Sequence, residues 1–413
     1  MKKILAILIF SFLSQKIVVA NELAIWTYNK WLYDNGHQKY VIKDNNSYKN
    51  NLNLKLSKRK WTLPEEANPN FDTLLYYFFR YQHSHFVPGS NTFQWDTYEI
   101  KPSIKHYKFK SDLKEDKYIT KQMNKTALLS YLLYEDGKIT IDEISPIDRF
   151  GNFVNNETKL RSMSIGKTMV SYVMGHAICK GYIDSVDSRL NDWSLTKNTP
   201  YENQKIIDLL NMNAGDQKYV NRGNFKDGSG DVDTITISIV MYKMSNLKKS
   251  KSKYNYNALL PHLLLNYISF KSGDDFENLL KDIFQNEAKI EHSVYFFKHP
   301  NMKKEFGVAN SMFFATRHDY LRIAKSILDD WKNDTCMGKY LKTIYENRIP
   351  KGNFDQRFDL SNTFSGTKTY AGFFHTDYSG MKNRSIMGMS GYGDQEIIID
   401  FDRSRILVFH STH

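Results

Sequence analysis

Residues 161–170, Arg-Ser-Met-Ser-Ile-Gly-Lys-Thr-Met-Val, place Ser164 and Lys167 three positions apart at the start of an apolar stretch. Residues i and i+3 of an α-helix share one face, so the two side chains meet if this stretch is helical. An amine in that place can accept the proton of the hydroxyl, and serine is a poor nucleophile without such a base. The segment is therefore a candidate nucleophile and base.

The residues after Ser164 favour a buried helix. Gly181 offers a C-terminal stop, and apolar side chains recur before it with helical spacing, namely Ile165, Met169, Val170, Val173, Met174, Ala177 and Ile178. We predict a helix of roughly four to five turns with Ser164 at its N-terminal end. Other serines with lysine three positions later lie in polar segments. The spacing alone also fits a core helix with a capping serine and an extended lysine.

Gly166-Lys167-Thr168 also matches the end of a phosphate-binding loop. That motif requires a glycine five residues before Gly166, where this chain has Arg161. The preceding residues 155–160 are polar and do not have the pattern of a buried strand. We therefore exclude nucleotide binding by this segment.

Residues 1–20 have the organisation of a secretory signal peptide. Lys2 and Lys3 precede an apolar stretch at residues 4–13, and Val18-Val19-Ala20 is a small-residue cleavage site. The apolar stretch is too short to span a membrane, and no later segment approaches the ~20 apolar residues that a span needs. We expect a periplasmic or secreted protein without stable membrane insertion.

The 413-residue chain has a formal net charge of +12, with its lysines scattered among asparagines and tyrosines. The densest lysine run, residues 248–253, is expected on a solvated loop, so we predict no nucleic-acid partner. Cys179 and Cys336 lack the spacing of metal ligands, and we expect no metal and no cofactor. The two cysteines either pair in an oxidising compartment or remain thiols, with Cys179 buried in the helix.

The chain divides into an aromatic-rich N-terminal region and a domain with clear strand patterns. Residues 21–120 are polar but rich in aromatic side chains, so we predict an extension that packs on the main domain, residues 121–413. Two strands surround the turn Asp136-Gly137, and residues 396–410 have a similar pattern. We expect one antiparallel sheet built from both ends of the domain, which is an α/β (α+β) arrangement.

The middle of the domain is predicted to be helical. Residues 206–212 and 258–270 have helical apolar patterns. Thr316-Arg-His-Asp319 has the pattern of a capping box and is expected to begin a further helix. These helices form an insertion between the strands at the two ends of the domain.

This organisation resembles the class C β-lactamase and penicillin-binding family of serine hydrolases, within it most closely the branch of esterases and 6-aminohexanoate-oligomer hydrolases. The likeness covers roughly residues 125–413 and is carried by an ordered set of segments, namely Asp136-Gly137, Lys159–Lys167, Lys180–Asp184, Ile206–Gly215, Tyr254–Ala258, Phe314–Asp319 and Gly388–Gln395. The resemblance implies a β-lactamase/transpeptidase-like fold, an antiparallel sheet flanked by helices with an inserted helical subdomain, and a three-part site.

The first two parts of that site supply the reactive side chains. Ser164 would be the acylated nucleophile and Lys167, which must be neutral to accept a proton, its base, matching the S-x-x-K of the family. The tyrosine of the family maps to Tyr256, with Tyr254 as the alternative, and its phenol would relay the proton to the leaving group. Ala258 stands where the family often has Asn or Ser, which puts a substrate contact from that side chain in doubt.

The third part is usually K-T-G or H-x-G, and the matching residues here are Met389, Ser390 and Gly391, which would line the substrate site. The backbone N–H groups of Ser164 and Tyr392 would form the oxyanion hole. Methionine has no charge with which to hold a substrate carboxylate, although a residue such as Arg384 is another possible cation.

The resemblance and the methionine together favour an exported carboxylesterase or amidase that acts through a serine acyl-enzyme. Its partner would be a small-molecule ester, amide or oligoamide substrate. Two alternatives stay open: a β-lactamase or D-Ala-D-Ala carboxypeptidase, and a catalytically inactive binding protein on the same scaffold.

Overall fold

The computed structural model describes residues 95–150, 154–232, 235–299, 309–352, 367–381 and 383–412, together with Phe78, Gln82, His85, Phe86, Thr92 and Phe93. The predicted signal peptide and most of the predicted extension lie outside these residues. The strands are β1 (Thr97–Ile100), β2 (Lys110–Ser111), β3 (Leu128–Glu135), β4 (Lys138–Ile144), β5 (Leu160–Arg161), β6 (Val220–Asn221), β7 (Asn224–Phe225), β8 (Val294–Lys298), β9 (Ala309–Ala315), β10 (Ile349–Pro350), β11 (Thr367–Ala371), β12 (Phe374–Tyr378), β13 (Ile386–Gly391), β14 (Gln395–Asp400) and β15 (Arg405–Ser411).

Helices fill the interval between the strands at the two ends of the domain. They are α1 (Lys117–Lys125), α2 (Ile147–Phe150), α3 (Ile165–Cys179), α4 (Ile206–Leu210), α5 (Ile237–Lys243), α6 (Leu259–Ser272), α7 (Phe276–Lys281), α8 (Arg317–Asn333) and α9 (Cys336–Glu346). Thr316 caps α8 by accepting a hydrogen bond from the Asp319 amide, as its sequence pattern predicts. Within the described ranges, no helix has the length and apolar character needed to cross a bilayer.

The larger sheet joins the two ends of the domain. Its strand order is β10-β11-β12-β13-β14-β15-β3-β4-β2, and it is antiparallel except where β2 pairs with β4. The last strand, β15, lies beside β3, with Phe409 opposite Tyr131. Asp136 and Gly137 connect β3 to β4 with φ angles of 51° and 79°, which suit a two-residue hairpin turn. The predicted antiparallel sheet built from both ends of the domain is therefore confirmed.

A second, four-stranded sheet has the order β1-β8-β9-β5 and leads directly into α3. Its edge strand β1 lies within the range predicted to be the extension and pairs with β8. Beyond β5, the Ser162 amide donates to the Phe313 carbonyl at 2.8 Å, and the Phe313 amide donates to the Ser162 hydroxyl at 3.1 Å. Two hydrogen bonds to β9 thus fix the backbone just before Ser164.

Helix α3 is the central element of the core. Thirteen of its fifteen residues, from Ile165 to Ala177, are buried. A helix that is enclosed on all sides needs apolar or small residues on every face, which the sequence of α3 supplies. The chain leaves the helix at Gly181, whose φ of 79° permits the left-handed turn that ends many helices. The predicted helix, its position and its C-terminal stop are confirmed.

A disulfide bond ties the C-terminal end of α3 to the start of α9. Cys179 and Cys336 are bonded, with their Cα atoms 5.8 Å apart and a separation of 157 residues in sequence. The sequence leaves open whether these cysteines form a disulfide bond or remain thiols, and in the structure they form the bond. The bond holds the end of the core helix to a helix that packs against it.

We predict that replacing both cysteines, Cys179→Ser with Cys336→Ser, lowers the free energy of unfolding by up to about 4 kcal/mol, because the cross-link restricts a long loop of the unfolded chain. Chemical denaturation of the oxidised wild type and of the double variant measures the difference. A reducing agent should lower the stability of the wild type alone. Equal stability of the oxidised wild type and the double variant would contradict the prediction.

Candidate active site

The structure brings Ser164 and Lys167 into direct contact. The Lys167 Nζ lies 2.9 Å from the Ser164 Oγ, at hydrogen-bond distance. Ser164 is half-buried at the N-terminal end of α3, and Lys167 is 8% exposed on its first turn. The hydroxyl is therefore within reach of an incoming carbonyl group, while the amine lies behind it in the protein.

Tight backbone contacts set the position of this turn. Met163 has a φ of 47°, in the left-handed region that bulky side chains rarely adopt, so the chain turns sharply just before Ser164. On one side, a Cβ atom on Gly166 would clash with the Ser311 carbonyl of β9. On the other side, a Cβ atom on Gly391 would lie 2.6 Å from the Ser162 carbonyl. Glycine at these positions lets β9 and β13 approach the turn closely.

Tyr256 is the tyrosine of the predicted pair that faces the lysine. Its ring centroid lies 5.0 Å from the Lys167 Nζ, and its side chain is half-buried. The ring of Tyr254 is 7% exposed and packs on Tyr370, with 5.3 Å between the ring centroids. Both tyrosines contact Tyr370, since the Tyr256 ring lies 6.1 Å from it, but the contact with the Lys167 amine is made by Tyr256.

The predicted third part lies on β13 and in the turn that follows it. Gly391 contacts the turn before Ser164, whereas the Met389 side chain is completely buried in the core. Ser390 is 5% exposed, and its hydroxyl donates a hydrogen bond to the buried carboxylate of Glu396. Tyr392 begins the turn after β13 and is 40% exposed. Of these four residues, Tyr392 alone has an exposed side chain.

His375 is a residue near the site that the sequence patterns do not indicate. It lies on β12 opposite Gly388 of β13, and its side chain is buried. Burial, with the positive charges of Lys351 and Lys167, holds the pKa of His375 well below its usual range. A neutral imidazole thus lies within the electrostatic reach of Lys167. Its sequence signal is a histidine after two phenylalanines, which does not by itself indicate a site.

Arg384 lies away from these residues. It precedes β13 at the end opposite Gly391, roughly 20 Å away at the usual rise of a strand. Its guanidinium group forms an ion pair with Asp400. It also lines a cavity of about 550 Å³ with Arg348 and Asp377, which are paired with each other at 2.9 Å. That cavity contains neither Ser164 nor Lys167 in its lining.

The described fold is shared with several solved structures at low sequence identity. A proposed 6-aminohexanoate-dimer hydrolase from Bacillus anthracis has a TM-score of 0.53 and 13% identity, over 77% of this chain and 85% of that one. A proposed β-lactamase from Bacteroides dorei has a TM-score of 0.51 and 14% identity, over 71% of this chain and 88% of that one. SurE has a TM-score of 0.51 and 15% identity, over 71% and 69% of the two chains.

No protein-family model matches the sequence, and no curated protein resembles it at a significant level. The likeness is therefore one of fold. The chain shares its fold with proteins described as a 6-aminohexanoate-dimer hydrolase and a β-lactamase, as its ordered sequence segments predict. The predicted fold class, an antiparallel sheet flanked by helices, is confirmed.

Proposed function

We propose that the protein is a serine hydrolase that cleaves an ester or amide bond through an acyl-enzyme on Ser164. The observation that carries the proposal is the 2.9 Å contact between the Lys167 Nζ and the Ser164 Oγ. It joins a half-buried hydroxyl to a buried amine at the start of a fixed helix, which is the geometry of an activated nucleophile. The family that this chain resembles also has a serine and a lysine three positions apart, the S-x-x-K pair.

In the proposed first step, the Ser164 Oγ attacks the substrate carbonyl carbon while neutral Lys167 accepts the hydroxyl proton. The carbonyl oxygen becomes an oxyanion, for which the backbone N–H groups of Ser164 and Tyr392 are the proposed donors. The proton then passes by way of Tyr256 to the leaving alcohol or amine, and the bond between the carbonyl carbon and the leaving group breaks. An ester between Ser164 and the acyl group remains.

In the second step, water attacks the acyl-enzyme. Lys167, again neutral, accepts a proton from the water while the water oxygen bonds to the carbonyl carbon. Collapse of this second oxyanion breaks the bond to the Ser164 Oγ, which regains a proton from the Lys167 and Tyr256 pair. The product is a carboxylic acid, and the side chains return to their initial protonation states. The cycle requires neither a metal nor a cofactor.

Among substrates, we favour uncharged esters and amides, including cyclic 6-aminohexanoate-type oligoamides. Met389 stands where the resemblance would place a lysine or a histidine, and its side chain is fully buried. A buried methionine offers no positive charge to the carboxylate of a β-lactam or a peptidoglycan stem. The B. anthracis protein of similar fold is itself described as a hydrolase of a 6-aminohexanoate dimer.

The proposed location is the periplasm or the medium. The predicted signal peptide, residues 1–20, precedes a chain whose two cysteines form a disulfide bond. Disulfide bonds persist in oxidising compartments outside the cytosol. We further propose that the aromatic-rich residues 21–120 pack on the hydrolase domain, and that neither a nucleic acid nor a membrane is a partner.

The first prediction about the proposed reaction concerns Ser164 and Lys167. A fluorophosphonate probe should label the wild type, and Ser164→Ala should abolish the labelling because the attacking oxygen is lost. Lys167→Met should decrease the hydrolysis of a chromogenic short-chain ester by about 10²–10⁴-fold, because no base remains beside the hydroxyl.

Ser171→Ala is the matched control for this pair, since Ser171 lies on the same helix with its hydroxyl 2.8 Å from that of Tyr340. It should retain both labelling and hydrolysis. Labelling that persists in Ser164→Ala would reject Ser164 as the nucleophile. A wild type that is neither labelled nor active on any ester or amide would favour a binding protein on this scaffold.

The second prediction separates the two tyrosines. Tyr256→Phe should decrease ester hydrolysis by about 10-fold or more, because the phenol that transfers the proton is removed. Tyr254→Phe, two positions away and directed toward Tyr370, should change it by less than about three-fold. Steady-state kinetics of the two variants decides between them, and the reverse order of effects would assign the role to Tyr254.

The third prediction concerns substrate class. Because Met389 carries no charge, we expect hydrolysis of short-chain p-nitrophenyl esters and of an uncharged cyclic 6-aminohexanoate dimer at rates well above that of nitrocefin. Parallel assays with these substrates and with a fluorescent penicillin make the comparison. Rapid nitrocefin hydrolysis would identify a β-lactamase, and stable labelling by the penicillin would identify a penicillin-binding enzyme.

A further inference from the structure

A buried carboxylate lies behind the candidate active site. Asp216 has no exposed surface. It accepts hydrogen bonds from the Tyr201 hydroxyl at 3.0 Å, from Asn255 Nδ2 at 2.8 Å and from Asn257 Nδ2 at 3.1 Å. Burial raises the pKa of Asp216, and the hydrogen bonds from Asn255 and Tyr201 oppose that rise. Among the described residues, no lysine, arginine or histidine forms an ion pair with this carboxylate.

Two of the three donors flank Tyr256 directly in sequence. Asn255 donates to one carboxylate oxygen of Asp216, and Asn257 donates to the other. The backbone of Tyr256 is thus held on both sides by one buried group. Because neighbouring residues of an extended segment point in opposite directions, the two asparagines face inward while the Tyr256 ring faces Lys167.

Asn257 also connects this anchor to α6. Its Oδ1 atom accepts hydrogen bonds from the amides of Leu259 and Leu260, each at 3.1 Å. The amide group of Asn257 is thereby oriented, since its oxygen caps the helix and its nitrogen must face the carboxylate. A donor placed at that carboxylate oxygen would meet the Asn257 NH₂ group.

The backbone around Asp216 is itself fixed. The Asp216 carbonyl accepts hydrogen bonds from the amides of Tyr219 and Val220 at 2.8 and 3.1 Å. The preceding Gly215 packs against the backbone of Ser250, whose amide donates to the Gly215 carbonyl at 2.8 Å. The carboxylate is therefore held by a turn that cannot easily follow a shift of the Tyr256 segment.

We propose that Asp216 is a positioning residue that fixes Tyr256 over the Lys167 amine. The inference rests on the proposed function in that Tyr256 transfers a proton there. An anionic acceptor suits the task because hydrogen bonds to a charged group are stronger than neutral ones. A buried carboxylate without a cation is costly to keep, so a function in holding the site gives a reason for its presence.

The test is Asp216→Asn, which keeps the shape but turns one acceptor into a donor. Either orientation of the new amide sets two donors face to face, against Asn255 or against Asn257. We expect kcat for ester hydrolysis to fall about ten-fold with KM within about two-fold of wild type, because the proton transfer and not the binding is disturbed. In a Tyr256→Phe background, the same substitution should lower kcat by less than about two-fold, because its effect passes through the phenol.

Tyr201→Phe is the control for a purely structural effect. It removes one hydrogen bond from Asp216 but leaves both bonds to the Tyr256 segment. It should lower the unfolding temperature, as Asp216→Asn does, while kcat stays within about two-fold of wild type. Equal losses of kcat in the two variants, or additive losses with Tyr256→Phe, would overturn the inference.

Asn255→Ala is a second variant in case Asp216→Asn does not fold. It removes one of the two hydrogen bonds that the Tyr256 segment donates to Asp216 and should lower kcat by about three-fold. In a Tyr256→Phe background, it should cause no further loss of kcat. No loss in Asn255→Ala, or a loss that adds to that of Tyr256→Phe, would also reject the inference.

A spectroscopic measurement separates this inference from the proposed function. 3-Fluorotyrosine is introduced at position 256, and its ¹⁹F resonance is recorded in the wild-type background and with Asp216→Asn or Asn255→Ala. A shifted or broadened resonance supports the positioning role even if the protein hydrolyses nothing, in which case the proposed function alone fails. An unchanged resonance in an active protein rejects the positioning role and leaves the proposed function standing.

Discussion

The contact between the Lys167 amine and the Ser164 hydroxyl depends on a helical turn that is confined on every side. The hydrogen bonds of Ser162 to β9 fix the chain before the turn, and the left-handed Met163 aims it into α3. Gly391 lets β13 touch the same turn from the other side. A shift of any of these elements would separate two atoms that, in the proposed reaction, must remain about 3 Å apart to exchange a proton.

The larger sheet explains how distant parts of the chain reach this turn. Strands β14 and β15 place β13 beside α3 only because they pair with β3, near the other end of the domain. The disulfide bond between Cys179 and Cys336 holds the far end of α3, so the core helix is secured at both ends. Rigid elements of this kind maintain a reactive geometry better than loops do.

Local patterns in the sequence predicted what depends on local structure. The helical period identified α3, and the three-residue spacing then placed Lys167 beside Ser164. Strand alternation found β3, β4, β14 and β15. The surroundings of His375 and Asp216 were not predictable in this way, because their neighbours come from segments far away in sequence. Asp216 follows Gly215 in a stretch that is polar by composition, and only the folded chain buries it.

In the proposed site, the groups assigned to the reaction are buried, whereas a group that could contact the substrate is exposed. The lysine and the carboxylate behind Tyr256 are buried and joined to neighbours by hydrogen bonds, so their geometry changes little with the substrate. Met389 is buried as well and offers neither charge nor surface, although its position in the resemblance is one that recognises substrate. Tyr392, which begins the turn after Gly391, has an exposed side chain. In the proposed hydrolase, substrate preference would depend more on that turn than on the strand before it, and the same proposed nucleophile is compatible with several kinds of acyl group.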